Sequence, residues 1–220
     1  MPRMARLVIP GYPHHVTQRG NRRQQTFFED TDYQTYIDLL CELKELTGVE
    51  IWAYCLMPNH IHVVAVPQHK QSLAKLFGVA HHRYARRVNS ANEWRGHLWQ
   101  ERFHSSVMDD AHLLTAVRYI ELNPVRAGLC ARAEEWRWSS IHAHLRDTSD
   151  DLVAVEPMRD RVSDWRRYLS EENAPGLLDD LREHTRTGRP AGDRNFIEQL
   201  EKVSGRVLRR RKPGPSSQRK

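Results

Sequence analysis

Cysteine is scarce in this sequence, whose 220 residues include only three, Cys41, Cys55 and Cys130. None of them forms a CxxC pair, so we expect neither a zinc ribbon nor a disulfide framework. This cysteine usage fits a protein of a reducing compartment. Long apolar runs are missing too, since no stretch approaches the ~20 residues that a membrane span requires. The first residues also lack the continuous apolar core of a signal peptide. We therefore predict a cytoplasmic protein with no membrane partner.

Acidic residues are outnumbered, with 28 Asp and Glu against 34 Lys and Arg, which gives a net charge of +6 and a pI near 9.4. This balance suggests an anionic partner, nucleic acid above all, although a basic soluble protein without such a partner is an equal alternative. Hydrophobic residues make up 39% of the chain. The length fits one ordinary domain plus an extension.

The apolar periodicity predicts an alternation of short strands and helices in the first two thirds of the chain. The predicted strands cover residues 6–9, 14–19, 49–56, 60–66 and 102–108. The predicted helices cover residues 32–46, 71–88 and 111–122, the last stopped by Pro124. This order favours an α+β fold, an antiparallel sheet of the ferredoxin-like, split βαβ kind with helices on one face.

The composition changes at about residue 147, where the linker-like run DTSDD begins. We predict a main domain over residues 1–146 and a basic C-terminal extension over residues 147–220, partly helical with a flexible tail. Within the extension, helical pieces are expected over 162–181, a loop over 185–194 and a short helix over 195–207. The final RRRKPGPSSQRK cannot build a core. It could bind phosphates or remain solvated.

Two histidines two residues apart, His60 and His62, begin the apolar run HIHVVAV after a Pro-Asn turn. Residues i and i+2 of a strand point to the same face, so both imidazoles should project together. Neutral imidazole suits Zn, Mn, Co, Ni or Cu, and two histidines leave room for further ligands and substrate. An HxH pair alone is a weak signal in a chain with 13 histidines, where close pairs such as His14-His15 arise by chance.

Tyr119 and Asn123 lie four residues apart in RYIELNPVRAGL and share one face of the predicted helix. A tyrosine hydroxyl is a competent nucleophile for phosphoryl transfer, and a metal opposite it can polarise the phosphodiester. Asn123 could give that metal an oxygen ligand. Taken alone, Tyr119 is more often a packing residue and Asn123 a helix cap.

Four stretches in fixed order carry a family resemblance: HVTQRGNRR, MPNHIH, LWQERFHSSVMDD and YIELNPVRAGL. Together they resemble the HUH transposases with one catalytic tyrosine, of the IS200/IS605 type, and most of all the REP-associated tyrosine transposases. The resemblance covers about residues 5–145.

The resemblance implies a metal-dependent single-stranded DNA endonuclease and strand transferase. In that family the two histidines hold a divalent metal ion, Mg²⁺ or Mn²⁺, which here assigns His60 and His62 as ligands. The family's tyrosine forms a covalent 5′-phosphotyrosine and leaves a free 3′-OH, a role that falls to Tyr119. Its third ligand, often Gln, lies one helical turn later, where this chain has the shorter Asn123.

The resemblance also implies a partner: imperfect DNA hairpins, the REP-type palindromes, with a short single-stranded flank. This predicts association with the nucleoid, as a monomer or a homodimer. Arginine suits both phosphates and guanine edges. The candidate DNA contacts are Arg19, Asn21, Arg22, Arg23, Arg83, Arg86, Arg87, Arg209, Arg210 and Arg211.

Two other functions stay open from the residues themselves. One is a nucleic-acid-binding regulator that keeps the fold without cutting. The other is a small metal-dependent hydrolase that uses the HxH pair and a water nucleophile, with Tyr119 in a structural role.

Overall fold

A four-stranded antiparallel sheet with strand order β2-β3-β1-β4 forms the centre of the protein. The structure is a computed structural model that describes residues 6–172 and 175–209. Its strands are β1 (His14–Arg19), β2 (Val49–Met57), β3 (His60–Pro67) and β4 (His104–Val107). The tight turn at residues 58 and 59 joins β2 and β3 into a hairpin, as predicted.

Nine α-helices surround the sheet in the described part of the chain. Three long helices of the main domain follow the predicted segments closely: α1 (Asp30–Thr47), α2 (Ser72–Ala91) and α3 (Asp110–Glu121). Asp109 caps α3, because its carboxylate accepts the backbone N–H of His112 at 2.9 Å. The other six are short: α4 (Asn123–Arg126), α5 (Ile141–Arg146), α6 (Glu156–Arg159), α7 (Trp165–Ser170), α8 (Leu177–Thr187) and α9 (Arg194–Ser204).

One face of the sheet is covered by α1 and α2. Ile61, Val63 and Ala65 of β3 point to this face and are fully buried against apolar side chains of both helices. Tyr36 of α1 and Tyr84 of α2 are fully buried there as well. This packing forms the larger hydrophobic core.

The opposite face of the sheet is covered by α3, α7 and α8. Val64 and Val66, the alternate residues of β3, pack there in a second hydrophobic cluster with Leu113 of α3 and Leu181 of α8. The α+β class and the antiparallel sheet are confirmed. The prediction of helices on one face is corrected to two faces, because both alternate sets of side chains in β2 and β3 are mostly apolar and must be shielded from water.

Residues 6–9, predicted as a strand, form no regular structure. Leu7 and Ile9 are buried against Phe196 and Leu200 of α9. The apolar alternation of this segment therefore reflects packing against a helix near the other end of the described chain, not pairing in the sheet.

The extension packs directly on the main domain. Ala191 exchanges backbone hydrogen bonds with Val107 and Asp109, which joins the segment after α8 to the end of β4. The predicted loop over 185–194 begins later than expected, because α8 continues to Thr187 and ends at Gly188. The proposed division of the chain at residue 147 stays a prediction. In the part of the chain that the structure describes, no helix has the length and apolarity needed to cross a membrane.

Candidate active site

His60 and His62 lie on the face of β3 that α3 covers. Strand alternation places both there, and their rings are 5.0 Å apart between centroids. Tyr119, in the last turn of α3, extends over the same strand. Its ring lies 5.5 Å from that of His62 at an interplanar angle of 83°. The structure thus brings together three of the residues that the sequence singled out.

These three side chains line one cavity of about 500 Å³. The strands contribute His15, Thr17, Gln18, Arg19, His60, His62 and His104, and α3 contributes Tyr119. The segment before β4 supplies Gln100 and Glu101, while α8 of the extension supplies Leu181, Arg182, Thr185 and Arg186. Positive side chains outnumber the single carboxylate in this lining, so the cavity suits an anionic ligand.

Positive charge lies beside Tyr119. The guanidinium of Arg126 is 4.7 Å from the centre of the Tyr119 ring, and that of Arg182 is 5.7 Å from it. Arg126 comes from α4 and Arg182 from the extension, so two separate segments place cations at this phenol. A phosphate group approaching the tyrosine would meet both charges.

The orientation of His60 is fixed by the turn that precedes it. Its Nδ1 lies 2.6 Å from Oδ1 of Asn59, and Nδ2 of Asn59 donates to the carbonyl of Arg23 at 3.0 Å. Because the Arg23 carbonyl can only accept, the Asn59 amide is oriented, and Nδ1 of His60 must donate to its oxygen. Nε2 of His60 therefore keeps its lone pair. Burial, with a smaller effect of the Arg19 charge, lowers the pKa of His60 to about 4.

His62 is held by a second histidine that strand β1 contributes. Nε2 of His15 lies 2.9 Å from Nδ1 of His62, and Nδ1 of His15 lies 2.9 Å from the hydroxyl of Thr185. Burial lowers the pKa of His15 to about 4 and that of His62 well below its usual value. Nε2 of His62 is buried and has no hydrogen-bond partner, as expected of an atom that would ligate a metal ion.

Asn123 does not line this cavity. It begins α4, directly after the break at Leu122, and its amide is buried with Nδ2 unpaired. Its role as third ligand stays a prediction. The described residues include no group of three or more His, Cys, Asp and Glu side chains that could hold a metal ion. The predicted donors remain the two imidazoles of the HxH pair and the amide oxygen of Asn123.

The basic loop after β1 adopts a constrained backbone. Arg22 and Arg23 have positive φ angles of 53° and 62°, which non-glycine residues adopt at a cost and which are often found at functional sites. Gly20 permits the tight path, because a Cβ there would lie 2.3 Å from the carbonyl oxygen of Gln24. Both arginine side chains are exposed, and Asn21 is half-buried.

The other predicted DNA contacts differ in their surroundings. Arg83 pairs with Glu42 at 2.5 Å, whereas Arg86 and Arg87 are exposed on α2. Arg209 pairs with Glu198 and Glu201. Arg210 and Arg211 lie outside the described residues.

Sequence reasoning missed the contribution of His15, Arg182, Thr185 and Arg186. His15 seemed part of a chance pair, yet it lies next to Val64 in the sheet register, on the same face as His62. Its alternation in β1 could have placed it there. The α8 residues carry no such signal, since their position depends on how the extension packs.

Comparison with known proteins shows to which family this chain is related. The family model described as transposase, IS200-like, matches residues 10–123, more than half of the chain. The chain belongs to the IS200-like transposase family. A REP-associated tyrosine transposase of Escherichia coli strain K12 is 23% identical over 137 residues, which cover 62% of this chain and 78% of that protein.

A solved structure of a REP-associated tyrosine transposase bound to a REP hairpin has the same fold. It aligns with a TM-score of 0.54 at 24% identity, covering 70% of this chain and 92% of that one. The family model and the relative confirm the resemblance seen in the four sequence motifs. Transposases are DNA-cleaving enzymes, so the prediction of an enzyme is confirmed as well.

Proposed function

We propose that this transposase is a metal-dependent single-stranded DNA endonuclease and strand transferase, acting at hairpin sequences of the REP type through a covalent 5′-phosphotyrosine on Tyr119. The observation that carries the proposal is the contact of the Tyr119 ring with the HxH pair, at 5.5 Å from His62. Three residues from two distant segments of the sequence line one cationic cavity. A tyrosine with a purely structural role would not require the HxH pair and a cationic cavity beside it.

The proposed chemistry is a transesterification. The hydroxyl oxygen of Tyr119 forms a bond to the phosphorus of a DNA phosphodiester, and the bond between that phosphorus and O3′ breaks. The 3′ oxygen leaves as a hydroxyl group and takes up the proton that the phenol gives up. Attack by a 3′-OH on the phosphotyrosine reverses these steps and joins strands. Arg126 and Arg182 would stabilise the charge of the phosphate as it is attacked.

His60 and His62 would hold the divalent ion, Mg²⁺ or Mn²⁺, with Asn123 as the proposed third ligand. The fit rests on the two imidazoles: each has its Nδ1 engaged by a protein partner, which leaves Nε2 for a metal. When bound, the ion would polarise the phosphodiester and stabilise the leaving oxygen. Imidazole ligands favour Mn²⁺ over Mg²⁺.

The DNA would reach the cavity along the basic surface that borders it. Arg19 lines the cavity, and Arg22 and Arg23 extend from the adjoining loop. Arg86 and Arg87 on α2 are proposed as phosphate contacts of the hairpin, while Arg83 and Arg209 would have to leave their carboxylate partners. Binding to such DNA would associate the protein with the nucleoid. Whether it acts as a monomer or a homodimer stays a prediction.

A denaturing gel tests this proposal directly. A labelled hairpin with single-stranded flanks from the genome of origin is incubated with the protein and Mn²⁺ or Mg²⁺, with EDTA as a parallel reaction. We expect an SDS-resistant protein–DNA band that requires metal and disappears in Tyr119→Phe. Tyr12→Phe is the matched control, since Tyr12 packs near Phe196 and away from the cavity.

The other outcomes separate the rival functions. Cleavage that persists in Tyr119→Phe without a covalent band would identify a water nucleophile and a hydrolase. Tight binding of every genomic hairpin tried, with no cleavage under either metal, would identify a regulator that binds without cutting.

A further inference from the structure

A continuous chain of hydrogen bonds runs from the extension to the candidate metal ligand His62. It begins at Thr185 in α8, passes through His15 in β1 and ends at Nδ1 of His62 in β3, with both contacts at 2.9 Å. The two imidazole planes are within 15° of parallel. His15 is 1% exposed and His62 is 6% exposed, so water does not compete for these bonds.

The direction of this chain follows from a carbonyl group at its far end. The Thr185 hydroxyl has a single hydrogen, and its oxygen lies 2.8 Å from the carbonyl of Leu181, which can only accept. Both contacts of the hydroxyl can be hydrogen bonds at once only if it donates to Leu181 and accepts from Nδ1–H of His15. A neutral His15 then has its lone pair on Nε2, which accepts Nδ1–H of His62.

The direction of these hydrogen bonds determines which nitrogen of His62 carries the lone pair. If Nδ1 of His62 carries the proton, Nε2 has the lone pair, and this is the buried atom that lacks a partner. The tautomer of a histidine is set by the hydrogen bond that its other nitrogen makes. The opposite direction of the chain would put a proton on Nε2 of His62 and block it as a ligand.

We propose that Thr185 and His15 are positioning residues that fix the tautomer and ring orientation of His62. Through Thr185, helix α8 of the extension then contributes to the metal site. This inference rests on the proposed function, because it concerns the site that would hold the metal. It gives the extension a specific role at the candidate site. Partners that orient a ligating histidine typically contribute 10–100-fold to metal affinity or activity.

The first test reads the tautomer itself, in the metal-free full-length protein. Nitrogen-15 NMR of the histidine side chains distinguishes a protonated Nδ1 from a protonated Nε2, and the His62 signals are assigned by their loss in His62→Gln. We expect the proton of His62 on Nδ1 and that of His15 also on Nδ1. A His62 proton on Nε2 would overturn the proposal.

The second test measures Mn²⁺ affinity by electron paramagnetic resonance, without DNA. Thr185→Val removes the hydroxyl at nearly constant shape, and we expect Mn²⁺ binding to weaken about 10–100-fold, with Thr185→Ser restoring it. Thr187→Val is the matched control, because Thr187 makes the same bond to a helix carbonyl, that of Glu183 at 2.9 Å, without contacting His15. Thermal unfolding shows that each variant is folded.

These readouts separate the inference from the proposed function. Equal Mn²⁺ affinity in Thr185→Val and Thr187→Val would overturn the positioning role. If the NMR tautomers are as expected and the wild-type protein binds no Mn²⁺, the hydrogen-bond chain stands and the metal-dependent function fails.

Discussion

Asn59 accepts a hydrogen bond from His60 at 2.6 Å while its own amide donates to the backbone of Arg23 at 3.0 Å. This pair connects the first histidine of the HxH motif to the basic loop after β1. The same two bonds leave Nε2 of His60 free to act as a ligand. The turn residue before the motif is therefore part of the candidate site.

Replacing Asn59 should weaken metal binding. In Asn59→Ala the ring of His60 loses its acceptor, and we expect Mn²⁺ affinity to fall about 10–100-fold. Asn59→Asp keeps an acceptor and should retain most of the affinity. Asn89→Ala is the matched control, since Asn89 also bonds a backbone carbonyl but lies on α2. Unchanged Mn²⁺ binding in Asn59→Ala would show that Asn59 only shapes the turn.

Arg19 should contribute an ionic contact to the DNA. Its side chain is exposed, lines the cavity and acts electrostatically on His60. In Arg19→Gln we expect weaker hairpin binding and a negative slope of log K against log salt that is less steep by about 0.7–0.9. Arg159→Gln is the control, because Arg159 pairs with Asp147 at 2.7 Å. An identical salt slope in both variants would remove Arg19 from the interface.

Glu121 should be a major stabilising residue. Its carboxylate is fully buried and contacts Ser140 at 2.6 Å, His144 at 2.6 Å and the indole of Trp165 at 2.8 Å. Glu121→Leu leaves these three groups without their acceptor, and we expect the free energy of unfolding to fall by about 3–5 kcal/mol. Urea denaturation measures the loss, with Glu50→Gln on the exposed edge of β2 as control. A loss below about 1 kcal/mol would contradict this view of the cluster.

The protein should lose stability in mild acid through its buried histidines. Burial lowers the pKa of His14 to about 4 and that of His81 to about 3, from an ordinary value of 6.5. Below pH 6.5 the unfolded chain therefore binds more protons than the folded one. Each such histidine lowers stability by about 1.4 kcal/mol per pH unit, until the pH reaches its folded pKa.

His81→Gln isolates one of these histidines. Between pH 7 and pH 5 we expect the variant to lose about 2 kcal/mol less stability than the wild type, measured by urea denaturation at both pH values. Glutamine can still bond the Tyr36 hydroxyl, which lies 2.8 Å from the His81 ring. His82→Gln, at the exposed neighbouring position, is the control. Equal pH dependence in His81→Gln and wild type would show that His81 does not titrate in this way.

The sheet and the central histidines could be predicted from the sequence because their signals are local. Strand alternation and the turn at residues 58 and 59 placed His60 and His62 on one face, and helical spacing placed Tyr119 on α3. The bounds of β1 agree at both ends, and those of β3 within one residue. Each of these features depends on neighbours in the chain.

The remaining features depend on distant partners. Leu7 and Ile9 alternate like a strand, yet they are buried because α9 packs on them. Thr185 belongs to a segment with the composition of a loop, but α8 continues through it where the helix packs against α3 and the sheet. Likewise, the role of His15 depends on the hydroxyl of Thr185, which the extension contributes.

The separation between His15 and Thr185, 170 residues along the chain, has a consequence for the making of the protein. The ribosome delivers β1 first and α8 much later, so the nascent chain carries both histidines of the HxH motif long before the hydroxyl that orients them. Copies released early by a premature stop codon would lack that hydroxyl altogether. Metal binding of full strength would therefore require a chain that includes α8.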